Sequence, residues 1–185
     1  MSSIDFKNVT GVIFGKGPSF CNPLKKENEI HICVNDSINS IDFPDVLVFN
    51  DVESIYKVKQ EKLDIVKIIV LPHRLHSNDR KKHRQIKWYS IKEEIDYKNE
   101  WFPYNIKSSS PFEGLPHFES ALTSSNTAVE WAILMGIKNI KTYGIGKSPG
   151  YHSSFKRTSG GYNVNKIREE IVSRCEKNNI NLMML

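Results

Sequence analysis

A chain of 185 residues that is 39% hydrophobic can bury one substantial core but is too short for two full-sized domains, so a single domain spanning 1–185 is expected. Its three cysteines, Cys21, Cys33 and Cys175, are odd in number and far apart, which argues against a disulfide framework or a zinc knuckle, and no stretch approaches the roughly 20 apolar residues of a membrane span. The opening MSSIDFKN lacks the layout of a secretion signal, and the formal charge is +5, so a soluble cytoplasmic protein with some affinity for anions is expected.

In chain order, TGVIF (10–14) reads as a first buried strand and is followed by Gly15-Lys16-Gly17-Pro18-Ser19. Two glycines let backbone amides approach a ligand closely and the lysine adds positive charge, which suits an anion such as a phosphate; the same residues equally suit a tight strand-to-helix turn. The stretch is not a P-loop, since no Gly-Lys-Ser/Thr closes it, and Phe20 stands where a dinucleotide fingerprint needs its third glycine. The runs IHICVN (30–35), DVLVFN (45–50) and DIVKIIVLP (64–72) have the length and the Val/Ile content of buried strands. Behind them stand Asn35-Asp36, Asn50-Asp51 and His73-Arg74.

Residues 73–118 break the rhythm and read as an inserted basic and aromatic subdomain. RKKHRQIK (80–87) carries five Lys/Arg, with Trp88, Tyr89, Trp101, Phe102 and Tyr104 following. Cations interleaved with rings suit a nucleic-acid strand, although the rings also serve as a small core and the charges as a solvated face. His73, His76 and His83 do not have the spacing of a metal site, so no metal is expected. Next, Ala128, Trp131, Ala132 and Met135 recur at i, i+3, i+4, i+7 and stop at Gly136, a helix with an apolar face. Its start, Thr123-Ser124-Ser125-Asn126-Thr127, is rich in capping residues; Thr127 and Glu130 have capping-box spacing, and such a start can also hold a phosphate. NIKTYGI (139–145) predicts another strand ending in Gly144-Ile145-Gly146. GKSPGYHSSFKRTSGGY (146–162) predicts a flexible lid, Val164, Ile167, Ile171 and Cys175 a second helix, and INLMML (180–185) a last strand.

Strands alternating with helices predict a doubly wound, mostly parallel, Rossmann-like α/β sheet, in which ligands bind beyond the carboxyl ends of the strands where the order reverses. The residues expected at that edge for a nucleotide are Gly15, Lys16, Gly17, Pro18, Ser19, Asn35, Asn50, Asp51, Thr123, Ser124, Ser125, Gly144, Gly146 and Tyr151. His152 and Tyr162 are the candidate catalytic groups in the lid, and His73 and Arg74 are candidates for the acceptor.

The ordered set IFGKGPS, CVNDS, VFND and TSSNTAVEWAILMGIKNIKTYGIG resembles the bacterial sialyltransferases that use CMP-sialic acid, with their relatives among motility-accessory glycosyltransferases and pterin diphosphokinase-like proteins. That resemblance implies that Gly15, Gly17, Ser19, Asn35 and Asn50 surround a nucleotide, with Ser124 near its phosphate and lid tyrosines closing on it. The chain departs from the family pattern at Ser125, where a glycine is usual, at Ala121 for an arginine, at Gly146 for an aspartate, and at Gly161-Tyr162, where the family histidine lies. The expected function is metal-independent transfer of a sugar from a nucleotide donor to an acceptor hydroxyl, with no cofactor. A small saccharide or lipid-linked acceptor is placed ahead of a nucleic acid. The alternatives are a Mg²⁺-dependent pyrophosphokinase or other phosphoryl transferase using Asp36 and Asp51, and a non-catalytic nucleotide- or nucleic-acid-binding module.

Overall fold

Alternating side chains of the first apolar run go to opposite layers in strand β1 (Thr10–Phe14): Val12 and Phe14 enter one core, Ile13 the other. The same division holds for β2 (Glu29–Val34), β3 (Val46–Val48) and β4 (Ile68–Pro72), so each strand is apolar on both sides, as a sheet covered on both faces requires. The computed structural model describes residues 6–75, 86–87, 92, 99–106, 112–119, 123–145, 152–153 and 163–185. Further strands are β5 (Arg74–Leu75), β6 (Ile86–Lys87), β7 (Glu100–Ile106), β8 (His117–Phe118), β9 (Asn139–Tyr143) and β10 (Asn181–Met184). Helices are α1 (Val52–Ile55), α2 (Gln60–Leu63), α3 (Ser124–Leu134) and α4 (Val164–Lys177).

Eight strands form one sheet in the order β10-β9-β1-β2-β3-β4-β7-β8, with every pairing parallel, while β5 and β6 make a separate antiparallel pair. The expected α/β architecture with a mostly parallel sheet is therefore present. Helices α3 and α4 cover the face built on Ile13, Ile32, Val48 and Val70, with Ala128, Trp131, Ala132, Ile171 and Cys175 packed into it. The face bearing Phe14, Cys33, Leu47 and Ile69 is covered by the 3-10 turn Asn35–Ser40 and by α1 and α2 through Ile38, Val52, Ile55 and Leu63. Gly136, the expected stop of the first long helix, has φ +83° after α3, and Asn179 has φ +52° after α4.

The segment 73–118 is not all insertion. β7 lies along β4 from Ile68↔Glu100 to Pro72↔Tyr104, and β8 extends the sheet beyond it. Pro103 stands within β7 without breaking it. The alternate residues Glu100 and Tyr104 bond toward β4, whereas Asn105 bonds outward to Pro116, so the missing N–H of Pro103 faces the outer side, short of where β8 begins. Tyr104 is wholly buried and Trp101 packs against the second core, so these two rings serve the packing of the sheet. Trp88, Tyr89 and residues 80–85 of the basic run lie outside the described residues. Among the described residues no helix is long and apolar enough to cross a membrane.

Candidate functional site

From β1 the chain steps outward through β2, β3 and β4 on one side, then returns to lay β9 and β10 on the other, so the order reverses between β1 and β9. At that point the turn after β1 meets the turn after β9. Gly15 N–H donates to the Tyr143 carbonyl (2.8 Å) and Gly17 N–H to the Gly144 carbonyl (2.7 Å), while Gly144 N–H donates to Ser19 Oγ (3.1 Å). A Cβ on Gly15 would lie 2.5 Å from the Gly144 carbonyl oxygen, and one on Gly17 2.8 Å from it. The two glycines are thus required for backbone-on-backbone contact with Gly144, itself at φ +66°. Their amides, which a phosphate cradle would need, already donate within the protein.

Lys16 reaches across to the 3-10 turn after β2, where its Nζ lies 2.7 Å from Asp36 Oδ1, both side chains being largely buried. The cation of this turn is therefore partly neutralised by a carboxylate. Asn35, beside it, has φ +54°, an uncommon conformation for a residue with a side chain, and its Oδ1 is buried with no hydrogen-bond partner among the described residues. Backbone strain combined with a buried polar atom lacking a partner is a mark of functional positions.

At the end of β3, Asn50 N–H donates to Ser124 Oγ at the start of α3 (3.2 Å). Its Oδ1 accepts from Tyr104 Oη (2.9 Å) and from Thr127 Oγ1 (3.2 Å). Burial pushes the Tyr104 phenol far above its ordinary pKa, the hydrogen bond with Thr127 acts in the opposite direction, and the Asp51 charge adds to the rise. It acts as a neutral donor. Tyr104 and Thr127 were not among the sequence candidates. Tyr104 lies in an aromatic segment that read as inserted, and Thr127 read as a cap.

The cap of α3 is Thr123, not Thr127: Thr123 Oγ1 accepts from Asn126 N–H (3.3 Å) and donates to Asn126 Oδ1 (2.6 Å). Thr127 is buried inside the helix and Glu130 pairs with Arg174 of α4, so the expected Thr127–Glu130 box does not form. Helix geometry leaves the amides of Ser124 and Ser125 without an acceptor inside α3, at the positive end of its dipole.

Beyond β4, His73 is buried and Arg74 half-buried. His152 is brought to the β1 turn: its N–H donates to the Lys16 carbonyl (2.8 Å) and its ring centroid lies 5.6 Å from that of Phe20. Gly146, Tyr151 and Tyr162, with the expected lid apart from 152–153, lie outside the described residues. Thus Gly15, Lys16, Gly17, Ser19, Asn35, Gly144 and His152 gather where the order reverses. Asn50, Asp51, Thr123, Ser124 and Ser125 gather a short way along the same edge. Among the described residues no three His, Cys, Asp or Glu side chains converge as a metal would need. No protein-family model matches this chain, and no curated protein matches it.

Proposed function

We propose that the protein is a Rossmann-like transferase that binds a nucleotide sugar along the carboxyl edge of the sheet and passes its sugar to an acceptor hydroxyl. The observation that carries this reading is Asn35, held at φ +54° with a buried Oδ1 lacking a described partner, beside the point where strand order reverses. A ligand offering N–H or O–H groups, as a nucleoside does, would satisfy that oxygen. The phosphate is assigned to the first turn of α3 rather than to the β1 turn, because the Gly15 and Gly17 amides are engaged with β9 and its loop. Transfer then consists of attack by the acceptor oxygen on the anomeric carbon while the Ser124 and Ser125 amides stabilise the departing phosphate.

A melting-temperature survey with nucleoside mono- and diphosphates and their sugar conjugates tests this. A ligand at about 100 times its Kd adds about 2.7 kcal/mol, which for a chain of this size raises Tm by roughly 5–10 °C. No shift with any of them at millimolar concentration would remove the reading. A shift that needs Mg²⁺ would instead favour phosphoryl transfer.

A further inference from the structure

His73 follows β4 directly and so stands in the row of carboxyl-end residues, one strand spacing of about 5 Å from the end of β3. Its backbone N–H donates to the Tyr104 carbonyl (2.9 Å), and its Nδ1 lies 3.2 Å from the same oxygen. A carbonyl only accepts, so Nδ1 carries a proton, and in the neutral ring Nε2 is then a lone-pair acceptor. The residue is 4% exposed, and Nε2 has no hydrogen-bond partner among the described residues. Buried polar atoms nearly always have partners, which marks this nitrogen as one awaiting a ligand group.

Phe112 stands beside it, with ring centroids 6.4 Å apart and the phenyl residue 57% exposed. Its turn is tied down by buried Asn105, whose Oδ1 accepts from Phe112 N–H (2.8 Å) and whose Nδ2 donates to the carbonyls of Phe112 (2.9 Å) and Leu115 (3.0 Å). An exposed ring on a tethered turn offers its face to the C–H face of a sugar, while the adjacent lone pair takes a hydroxyl proton.

We propose that His73 and Phe112 form the acceptor subsite, that the acceptor is a saccharide hydroxyl, and that His73 Nε2 is the base; this rests on the transferase reading above. In the step, Nε2 takes the acceptor proton as the acceptor oxygen bonds the anomeric carbon. The bond from that carbon to the donor phosphate oxygen breaks, and the phosphate leaves with the electron pair. The imidazolium later gives its proton to water. The Nδ1–H bond to the Tyr104 carbonyl holds the ring in the orientation that a base needs.

The full chain is incubated with CMP-, UDP- and GDP-sugars and a mixture of mono- and disaccharides, with nucleotide release and Tm as readouts. His73→Asn keeps an amide N–H where Nδ1 stood and removes the base; His73→Gln places an amide near the Nε2 position. Both are expected to keep the parent's Tm and donor KM while kcat falls about 100-fold or more. Added imidazole is expected to restore part of the turnover of His73→Ala. Phe112→Ala, at an exposed position, is expected to raise acceptor KM about tenfold with donor KM unchanged, and it decides the matter should the His73 variants not fold. If no nucleotide or nucleotide sugar shifts Tm, both readings fall. If the donor binds but no saccharide supports release, or if His73→Asn and His73→Gln turn over within about threefold of the parent, the acceptor subsite falls and the donor reading stands.

Discussion

Replacing Gly15 by alanine tests whether the glycines after β1 serve the fold or a ligand. The new Cβ would stand 2.5 Å from the Gly144 carbonyl oxygen and 2.6 Å from Ile145 Cγ1, and backbone cannot retreat as a flexible side chain would. Overpacking of this kind costs about 1–3 kcal/mol. Moving the Gly144 turn also weakens the bonds from Gly17 N–H (2.7 Å) and to Ser19 Oγ (3.1 Å), each worth about 1 kcal/mol. Alanine restricts the unfolded chain and returns about 0.4–1 kcal/mol. The net expectation is a loss of about 2–4 kcal/mol, or a Tm lowered by roughly 5–15 °C. Gly136→Ala is the control: φ is +83° there, but nothing lies within 4 Å of the added carbon, so only the left-handed backbone penalty applies, about 1 kcal/mol net. Thermal and urea unfolding of both variants measure the difference. Should Gly15→Ala be no less stable than Gly136→Ala, or keep full stability while abolishing ligand binding, the packing account of this turn is wrong.

Three further outcomes are expected. Arg174→Ala strands the buried Glu130 carboxylate that Arg174 holds through Nε and Nη2; after discounting for partial exposure this should cost about 2–3 kcal/mol in urea unfolding, and the double variant Arg174→Met/Glu130→Met should recover much of it. Asn50→Ala removes the acceptor of the buried Tyr104 hydroxyl and is expected to cost about 1–3 kcal/mol, with a smaller loss in a Tyr104→Phe background; an equal loss in both would exclude coupling between them. Burial holds the His31 imidazole below its ordinary pKa, with the Lys25 charge acting in the same direction and Asp45 and Glu29 opposing it. Below pH about 6.5 the unfolded chain therefore binds a proton that the folded chain refuses. Stability is complete above that pH and falls as pH drops toward the folded value, by up to about 1.4 kcal/mol per pH unit. Urea unfolding between pH 8 and 5 should show this slope in the parent and a shallower one in His31→Phe, and equal slopes would rule His31 out as its source.

The sequence alone was enough to place the six apolar strands at 10–14, 30–35, 45–50, 64–72, 139–145 and 180–185, and to find the helices with faces at Ala128–Met135 and Val164–Cys175. Both signals are local, because a strand buried on both faces must be continuously apolar and a helix packed on one face must repeat near every fourth residue. The polar residues at the strand ends were legible for the same reason, since short polar and glycine residues punctuate each run. Their partners were not. Gly15 and Gly17 needed the tertiary structure to show Gly144 against them. Asn50 meets Tyr104 and Thr127 across gaps of 54 and 77 residues, and Glu130 turns to Arg174, 44 residues away, instead of to its neighbour Thr127. Likewise EWFPYNI (100–106) lies in the segment that reads as an insertion, and only the register against β4 shows it to be a strand, with Pro103 facing the side where no donor is required. Contacts over such separations leave no period in the chain. They are decided when the parallel sheet sets side by side the ends of strands that lie far apart in sequence.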